Sequence, residues 1–165
     1  MGSTTDPIVA SFKKLVTEVF GDNMAFGFIF GSAAKGKLKV AGPDKHDLDT
    51  FICLKMDDQD AKKEYSRRIA ILHNRYGLKV DEEFPTEVMT LGTLQTIISE
   101  LDSVNVSVDE LVTGIKFDHM FWVHALTDEK TGFVGDGIAM SSLIKDGQPH
   151  IYRWRDQIIE QLEAR

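Results

Sequence analysis

Residues 26–55 read FGFIFGSAAKGKLKVAGPDKHDLDTFICLK, and this stretch decides the predicted fold. An apolar run that starts at position 24 ends at a Gly-Ser pair, positions 31–32, and a second apolar run starts directly after Asp47 and Asp49. Short runs rich in aromatic and β-branched residues, bounded by turn residues, are typical of buried strands. We therefore predict two strands, with a tight turn after the first and two carboxylates at the entrance of the second.

The flanking sequence alternates between helical and strand patterns. Asp6 and Pro7 are typical of a helix start, and residues 57–76 follow a helical period. Residues 78–84 alternate with period two, which predicts a third strand. Further helices are predicted over 91–101, from Ser107 and over 150–165, with a short strand in 131–137 and an ambiguous apolar run at 119–126. The pattern predicts an α/β (α+β) fold, with a short mixed β-sheet and helices packed on one side.

Length and composition limit the class of protein. The 165 residues fit one domain, so we expect a single domain over 1–165, with the motifs in about 24–85 and a helical half over about 86–165. A net charge of −7 disfavours nucleic acid as the main partner, because phosphate backbones are bound by basic surfaces. One cysteine, Cys53, permits no internal disulfide, and no stretch is long enough for a membrane span. These features predict a soluble cytoplasmic protein.

The carboxylates of the two acidic strands are the candidate metal ligands. Residues two apart on a strand point to one face, so Asp47 and Asp49 should project together, and so should Asp81 and Glu83 on the predicted third strand. Clustered carboxylates repel one another unless a cation lies between them. If these strands are neighbours, three or four carboxylates converge, which is enough for one or two Mg²⁺ ions together with phosphate oxygens and water.

The turn after the first strand is the candidate phosphate site. If Gly31 and Ser32 open a short helix, their N–H groups and the serine hydroxyl form an anion-binding end, and Lys35 and Lys37 add positive charge beside it. A nucleoside triphosphate held there would lie next to metals bound by the carboxylates. Catalysis at such a site relies mainly on positioning and electrostatic stabilisation.

In this order, FGSAAKGK, HDLD and KVDEE resemble the motifs of the DNA polymerase β-like nucleotidyltransferase superfamily, which includes minimal and antibiotic-modifying nucleotidyltransferases. The resemblance covers positions 26–84. It implies that Gly31 and Ser32 hold the triphosphate and that Asp47 and Asp49 bind the catalytic metals. Asp81 or Glu83 would supply the third carboxylate, with Asp81 preferred.

The resemblance also implies the reaction. A nucleoside monophosphate would pass from an NTP to the hydroxyl of a small molecule, with two Mg²⁺ ions as cofactors and release of pyrophosphate. The third carboxylate would act on the acceptor hydroxyl, and Glu83 and His46 are candidate acceptor contacts. Lys35 stands where many relatives have arginine, and His46 where serine is common.

Other interpretations stay open at this point. The acceptor could instead be a protein side chain, as in antitoxin members of the minimal group, or the domain could bind nucleotide or a partner without chemistry. His46 is as well suited to cap a loop as to touch phosphate. The histidines at 73, 119 and 124 are assigned to the core or surface, and the aromatic residues of the second half to helix packing or to acceptor-pocket walls: Phe117, Phe121, Trp122, Tyr152 and Trp154.

Overall fold

The computed structural model describes residues 5–80, 87–109 and 117–165. Within these ranges four strands form one sheet: β1 Met24–Phe30, β2 Asp49–Leu54, β3 Glu87–Thr90 and β4 Thr131–Gly135. Their order is β3-β2-β1-β4. β1 runs antiparallel to β2 and β4, whereas β2 and β3 are parallel. The sheet is therefore mixed, which confirms the predicted fold class.

Helices make up most of the remaining described chain. They are α1 Thr5–Phe20, α2 Gln59–Arg75, α3 Leu91–Ser99, α4 Phe117–Thr127 and α5 Gly137–Glu163. α2 starts where its sequence supplies a cap, since the Asp58 side chain accepts a hydrogen bond from the Ala61 N–H at 3.0 Å. Among the described residues, no helix combines the length and apolar character that a membrane crossing requires.

One face of the sheet packs against α1 and α2. Ile29 of β1 and Ile52 of β2 join a buried cluster that includes Phe12 of α1 and Ile69 of α2. Helices that present apolar residues at helical spacing bury them against a sheet in this way, and burial of that surface is the main source of stability. α1 and α2 thus cover one face of these strands, and the placing of helices on that side alone stays a prediction.

The opposite face of the sheet is aromatic. The side chains of Phe26, Phe28 and Phe51 alternate with the helix-facing residues and stack on one another, with the rings of Phe28 and Phe51 5.1 Å apart and nearly parallel. All three are fully buried. Asp49 lies two residues before Phe51, so strand alternation places it at the edge of this aromatic face.

The chain divides into two compact units. The first holds the four strands with α1 and α2, and the second holds nearly all of α3, α4 and α5. In the second unit Trp154 is buried, and its Nε1–H donates to the Val104 carbonyl at 2.9 Å, so it serves helix packing. Tyr152 is exposed, and nothing is described of the side chains of Phe117 and Phe121. The single domain stays a prediction.

Two predicted elements differ from the structure where it describes them. Leu78–Val80 form no strand, with Leu78 buried and Lys79 exposed, and positions 81–84 of the predicted third strand lie outside the described residues. The strand parallel to β2 is the later β3. α5 starts at Gly137 rather than at 150 and continues through Pro149, which costs the helix one backbone hydrogen bond.

Candidate functional site

The Gly-Ser turn and the acidic entrance of β2 meet because β1 and β2 are antiparallel neighbours. Phe30, the last residue of β1, pairs with Asp49, the first residue of β2. The turn that follows Phe30 therefore starts directly beside Asp49. Residues 19 positions apart in the chain become adjacent through strand register alone.

Gly31 is in contact with the Asp49 carboxylate. A Cβ atom at Gly31 would overlap Asp49 Oδ2 and lie 3.2 Å from Asp49 Cγ. The backbone φ of Gly31 is +70°, in the left-handed region that disfavours side chains. Glycine is thus required twice here, for its conformation and because the carboxylate occupies the space of a side chain.

The turn itself is a set of hydrogen-bonded bends over residues 31–36. The Lys35 N–H donates to the Gly31 carbonyl at 3.2 Å, and the Lys37 N–H donates to the Ser32 carbonyl at 2.8 Å. The segment does not continue into a helix, so the short helix considered at this point is absent. Ser32 is half-buried, and Lys35 and Lys37 are exposed at the turn's open end.

Leu48 and Thr50 fix the orientation of the two aspartates. Leu48 is buried in the core under α1 and α2, and Thr50 Oγ1 lies 2.9 Å from the hydroxyl of Tyr65 in α2. Since successive residues of an extended chain point to opposite sides, we expect Asp49, and Asp47 if the chain before β2 is extended, to project away from these helices. Both aspartates are half-buried. The burial of Leu48 and Thr50 agrees with the alternation in HDLDT, and the shared direction of the two aspartates stays a prediction.

A buried histidine supports this acidic segment from behind. His73 of α2 is 4% exposed, and its Nε2 accepts a hydrogen bond from the Leu48 N–H at 3.0 Å. Its Nδ1 lies 2.7 Å from the Ile69 carbonyl. The sequence pattern predicts a core or surface position for His73 but not this contact, because nothing local connects residues 25 positions apart.

His46 is bound into the loop that precedes the aspartates. Its ring Nδ1 accepts a hydrogen bond from the Lys39 N–H at 3.2 Å, and its carbonyl accepts one from the Lys79 N–H at 2.8 Å. The hydrogen bond from Lys39 supports the interpretation of His46 as a residue that caps the loop. An acceptor contact by His46 stays a prediction.

Two lysines meet at Asp128, just before β4. Lys35 Nζ lies 3.1 Å from Asp128 Oδ2, and Lys130 Nζ donates to the Asp128 carbonyl at 2.7 Å. The Lys130 ammonium also lies 5.2 Å from the centre of the Phe28 ring, on the aromatic face. Burial lowers the pKa of Lys130, and the Asp128 carboxylate opposes that shift. Lys130 is not among the site residues predicted from the sequence, because only the pairing of β1 with β4 brings it here.

The third carboxylate lies outside the described residues, as both Asp81 and Glu83 fall in 81–86. Within the described ranges no group of three or more His, Cys, Asp or Glu side chains is arranged to hold a metal ion. What the structure brings together is therefore the Gly31 turn, Asp49 and the adjoining Asp47. The convergence with Asp81 stays a prediction.

Comparisons of the chain with protein-family models, with curated proteins and with solved structures gave no match. The function proposed below therefore rests on the residues of this chain.

Proposed function

We propose that the protein is a Mg²⁺-dependent nucleotidyltransferase that transfers a nucleoside monophosphate from an NTP to a hydroxyl group of a small molecule. The observation that carries the proposal is the contact between Gly31 and the Asp49 carboxylate. A glycine turn suited to phosphate and a carboxylate suited to a metal lie side by side at one end of the paired strands β1 and β2. This juxtaposition fits a metal-bound triphosphate better than it fits either ligand alone.

The donor set fits Mg²⁺. This ion prefers oxygen ligands and is commonly bound by one or two carboxylates together with substrate phosphates and water. Asp47 and Asp49 are half-buried, so they can supply two carboxylates that solvent still reaches. Bound there, Mg²⁺ would neutralise charge that develops on the phosphates during transfer. Asp81 is proposed to add the third carboxylate.

The turn residues would hold the phosphates. The Ser32 hydroxyl can donate to a phosphate oxygen, and the exposed Lys35 and Lys37 add positive charge. Lys35 is already paired with Asp128, so phosphate binding would replace one anionic partner by another. Lys130, on the aromatic face beside Phe28, brings a further cation to the same part of the first unit.

The proposed chemistry is an in-line displacement. The acceptor hydroxyl oxygen forms a bond to the α-phosphorus, the bond between that phosphorus and the α–β bridging oxygen breaks, and pyrophosphate leaves. The hydroxyl proton passes to a carboxylate, for which Asp81 is proposed. The protein's part is mainly to align the two reacting atoms and to stabilise negative charge.

The test is a transfer assay. Purified protein is incubated with Mg²⁺, each of the four NTPs and a panel of cationic, hydroxyl-rich small molecules, and pyrophosphate release is measured. A net charge of −7 favours cationic acceptors, and a basic protein serves as a separate arm. We expect release that requires both Mg²⁺ and an acceptor.

Two matched variants separate the proposed site from a general charge effect. Asp49→Asn should lower the transfer rate at least ~100-fold, the scale on which one preorganised electrostatic group acts in an active site. Asp44→Asn makes the same charge change at an exposed loop position and should leave the rate unaltered. Equal rates in the two variants would remove Asp49 from the mechanism, and absence of release with every acceptor would contradict the proposal.

The two candidate third carboxylates should differ in kinetics. A carboxylate that acts on the acceptor hydroxyl as the bond forms affects turnover more than NTP binding. We expect Asp81→Asn to keep NTP affinity within a few-fold and to lower kcat at least ~100-fold, whereas Glu83→Gln mainly raises the KM of the acceptor. Steady-state kinetics with both substrates varied checks this. An active Asp81→Asn beside an inactive Glu83→Gln would reverse the assignment.

A further inference from the structure

His73 is a buried polar side chain that the proposed reaction does not use. It lies in the last turn of α2, on the helix-covered side of the sheet, and is 4% exposed. Its Nε2 contacts the N–H of Leu48, the residue between Asp47 and Asp49, at 3.0 Å. A polar side chain buried this deeply is tolerated when its hydrogen bonds are made, and here both ring nitrogens have a partner.

The two partners define the roles of the ring nitrogens. The Ile69 carbonyl can only accept, so Nδ1 of His73 carries the proton and donates at 2.7 Å. The Leu48 N–H can only donate, so Nε2 carries no proton and accepts. The donor of the second bond belongs to the peptide unit that joins Asp47 to Leu48. The ring therefore restrains the peptide unit directly between the two aspartates.

We propose that His73 is a positioning residue that holds the backbone between Asp47 and Asp49, so that both carboxylates face the same metal-bound triphosphate. The inference rests on the proposed function. Contacts on both sides of this peptide support it, since the His46 carbonyl accepts a hydrogen bond from the Lys79 N–H and the Thr50 hydroxyl lies 2.9 Å from the Tyr65 hydroxyl. Loss of the His73 ring would remove the hydrogen bond that links the Asp47–Leu48 peptide to α2.

Two substitutions at His73 should each keep one of the two hydrogen bonds of the ring and remove the other. In His73→Asn the side-chain amide takes the position of Nδ1 and can still donate to Ile69, but it is too short to reach Leu48. In His73→Gln the longer side chain places its carbonyl oxygen near the position of Nε2 and can still accept from Leu48. The proposal thus predicts that Gln replaces His73 well and Asn poorly.

The experiment measures binding of Mg²⁺ with α,β-methylene-ATP by calorimetry, together with hydrogen exchange at the Leu48 amide. Loss of a side chain that orients a metal ligand typically costs about 10- to 100-fold in affinity. We expect His73→Asn to bind about 10- to 100-fold more weakly than the parent and to exchange the Leu48 amide proton faster. We expect the affinity of His73→Gln to stay within about threefold of the parental affinity. If the Asn variant does not fold, His73→Met, which fills a similar volume with only a weak acceptor, replaces it.

A core variant controls for general loss of stability. Val16 of α1 is fully buried in the same core, so Val16→Ala should lower the melting temperature without weakening binding. Parental affinity in His73→Asn, equal weakening in His73→Gln, or equal weakening in Val16→Ala would each overturn the positioning role. If the parent protein itself shows no Mg²⁺-dependent binding, both the proposed function and the role of His73 fail. If the parent binds and only the variant results differ from those expected, the role of His73 alone fails.

Discussion

The geometry of the candidate site centres on one residue, Gly31. Gly31 combines a φ of +70° with an Asp49 carboxylate in the position of its missing side chain. Gly36, at the end of the same turn, has a nearly identical φ of +69°, but beyond its chain neighbours no described atom lies within 4 Å of the position that a Cβ would take. The two glycines thus share the conformational requirement, and only Gly31 has a carboxylate in the place of a side chain.

Alanine substitutions at these two positions should therefore separate conformation from contact. Both changes place a side chain in the left-handed region, which costs about 1–2 kcal/mol in the free energy of unfolding. Gly31→Ala should cost more, because it also displaces the Asp49 carboxylate, and it should abolish Mg²⁺-dependent nucleotide binding. Gly36→Ala should retain binding. Chemical denaturation and calorimetry check this, and equal binding by both variants would show that the Gly31 contact is not part of the site.

The candidate site lies where the ends of β1 and β2 meet the segment that precedes β4. β1 supplies the turn, β2 supplies Asp49, and β4 brings Asp128 and Lys130 beside the turn through its pairing with β1. The pair between Lys35 and Asp128 links the turn to the segment before β4. Both side chains are partly exposed, so the ion pair contributes little to stability. Asp128 would nevertheless compete with a bound phosphate for the Lys35 ammonium group.

Release of Lys35 should strengthen nucleotide binding. An exposed ion pair is worth about 0.2–1 kcal/mol, so Asp128→Asn should raise NTP affinity by up to about fivefold. Glu129→Gln makes the same charge change at the neighbouring exposed residue and should leave affinity unaltered. Calorimetry at constant ionic strength measures both. An equal rise in the two variants would attribute the effect to net charge, and no rise in either would remove Lys35 from the phosphate site.

The interior of β2 makes a separate prediction about pH. Cys53 is fully buried on this strand, and burial raises the pKa of its thiol to about 12 from an ordinary value of 9.0. The unfolded chain therefore loses the thiol proton at lower pH than the folded chain does, and the free energy of unfolding falls as pH rises from about 9 toward 12.

Substitution of Cys53 isolates this contribution. In Cys53→Ala the free energy of unfolding should fall less steeply with rising pH, by up to about 1.4 kcal/mol per pH unit. The comparison is best made below pH 10, because burial also raises the pKa of Tyr65, whose ordinary value is 10.0. Urea denaturation of parent and variant between pH 9 and pH 10 measures the difference. Parallel declines would show that the thiol is not buried as described.

At the scale of the whole molecule, the sequence predicts those features that local pattern encodes. The first two strands and the turn follow from residues close together in the chain, as does the expected shared direction of Asp47 and Asp49. β3 was missed because a four-residue parallel strand is defined by its partner β2 rather than by its own pattern. The contacts of His73 and Lys130 were missed for the same reason, since they join residues 25 and about 100 positions apart.

If Asp47 and Asp49 bind a metal-bound nucleotide, as we propose, that ligand should raise the temperature of thermal unfolding. Ligand at 100 times its Kd stabilises a folded protein by about 2.7 kcal/mol, which corresponds to roughly 5–10 °C for a chain of this size. We expect Mg²⁺ with ATP to raise the melting temperature of the parent and of Asp44→Asn by that amount, while Mg²⁺ alone or ATP alone has a smaller effect. Asp47→Asn and Asp49→Asn should lose the metal-dependent part of the shift. An undiminished shift in both variants would place the metal elsewhere and contradict the account.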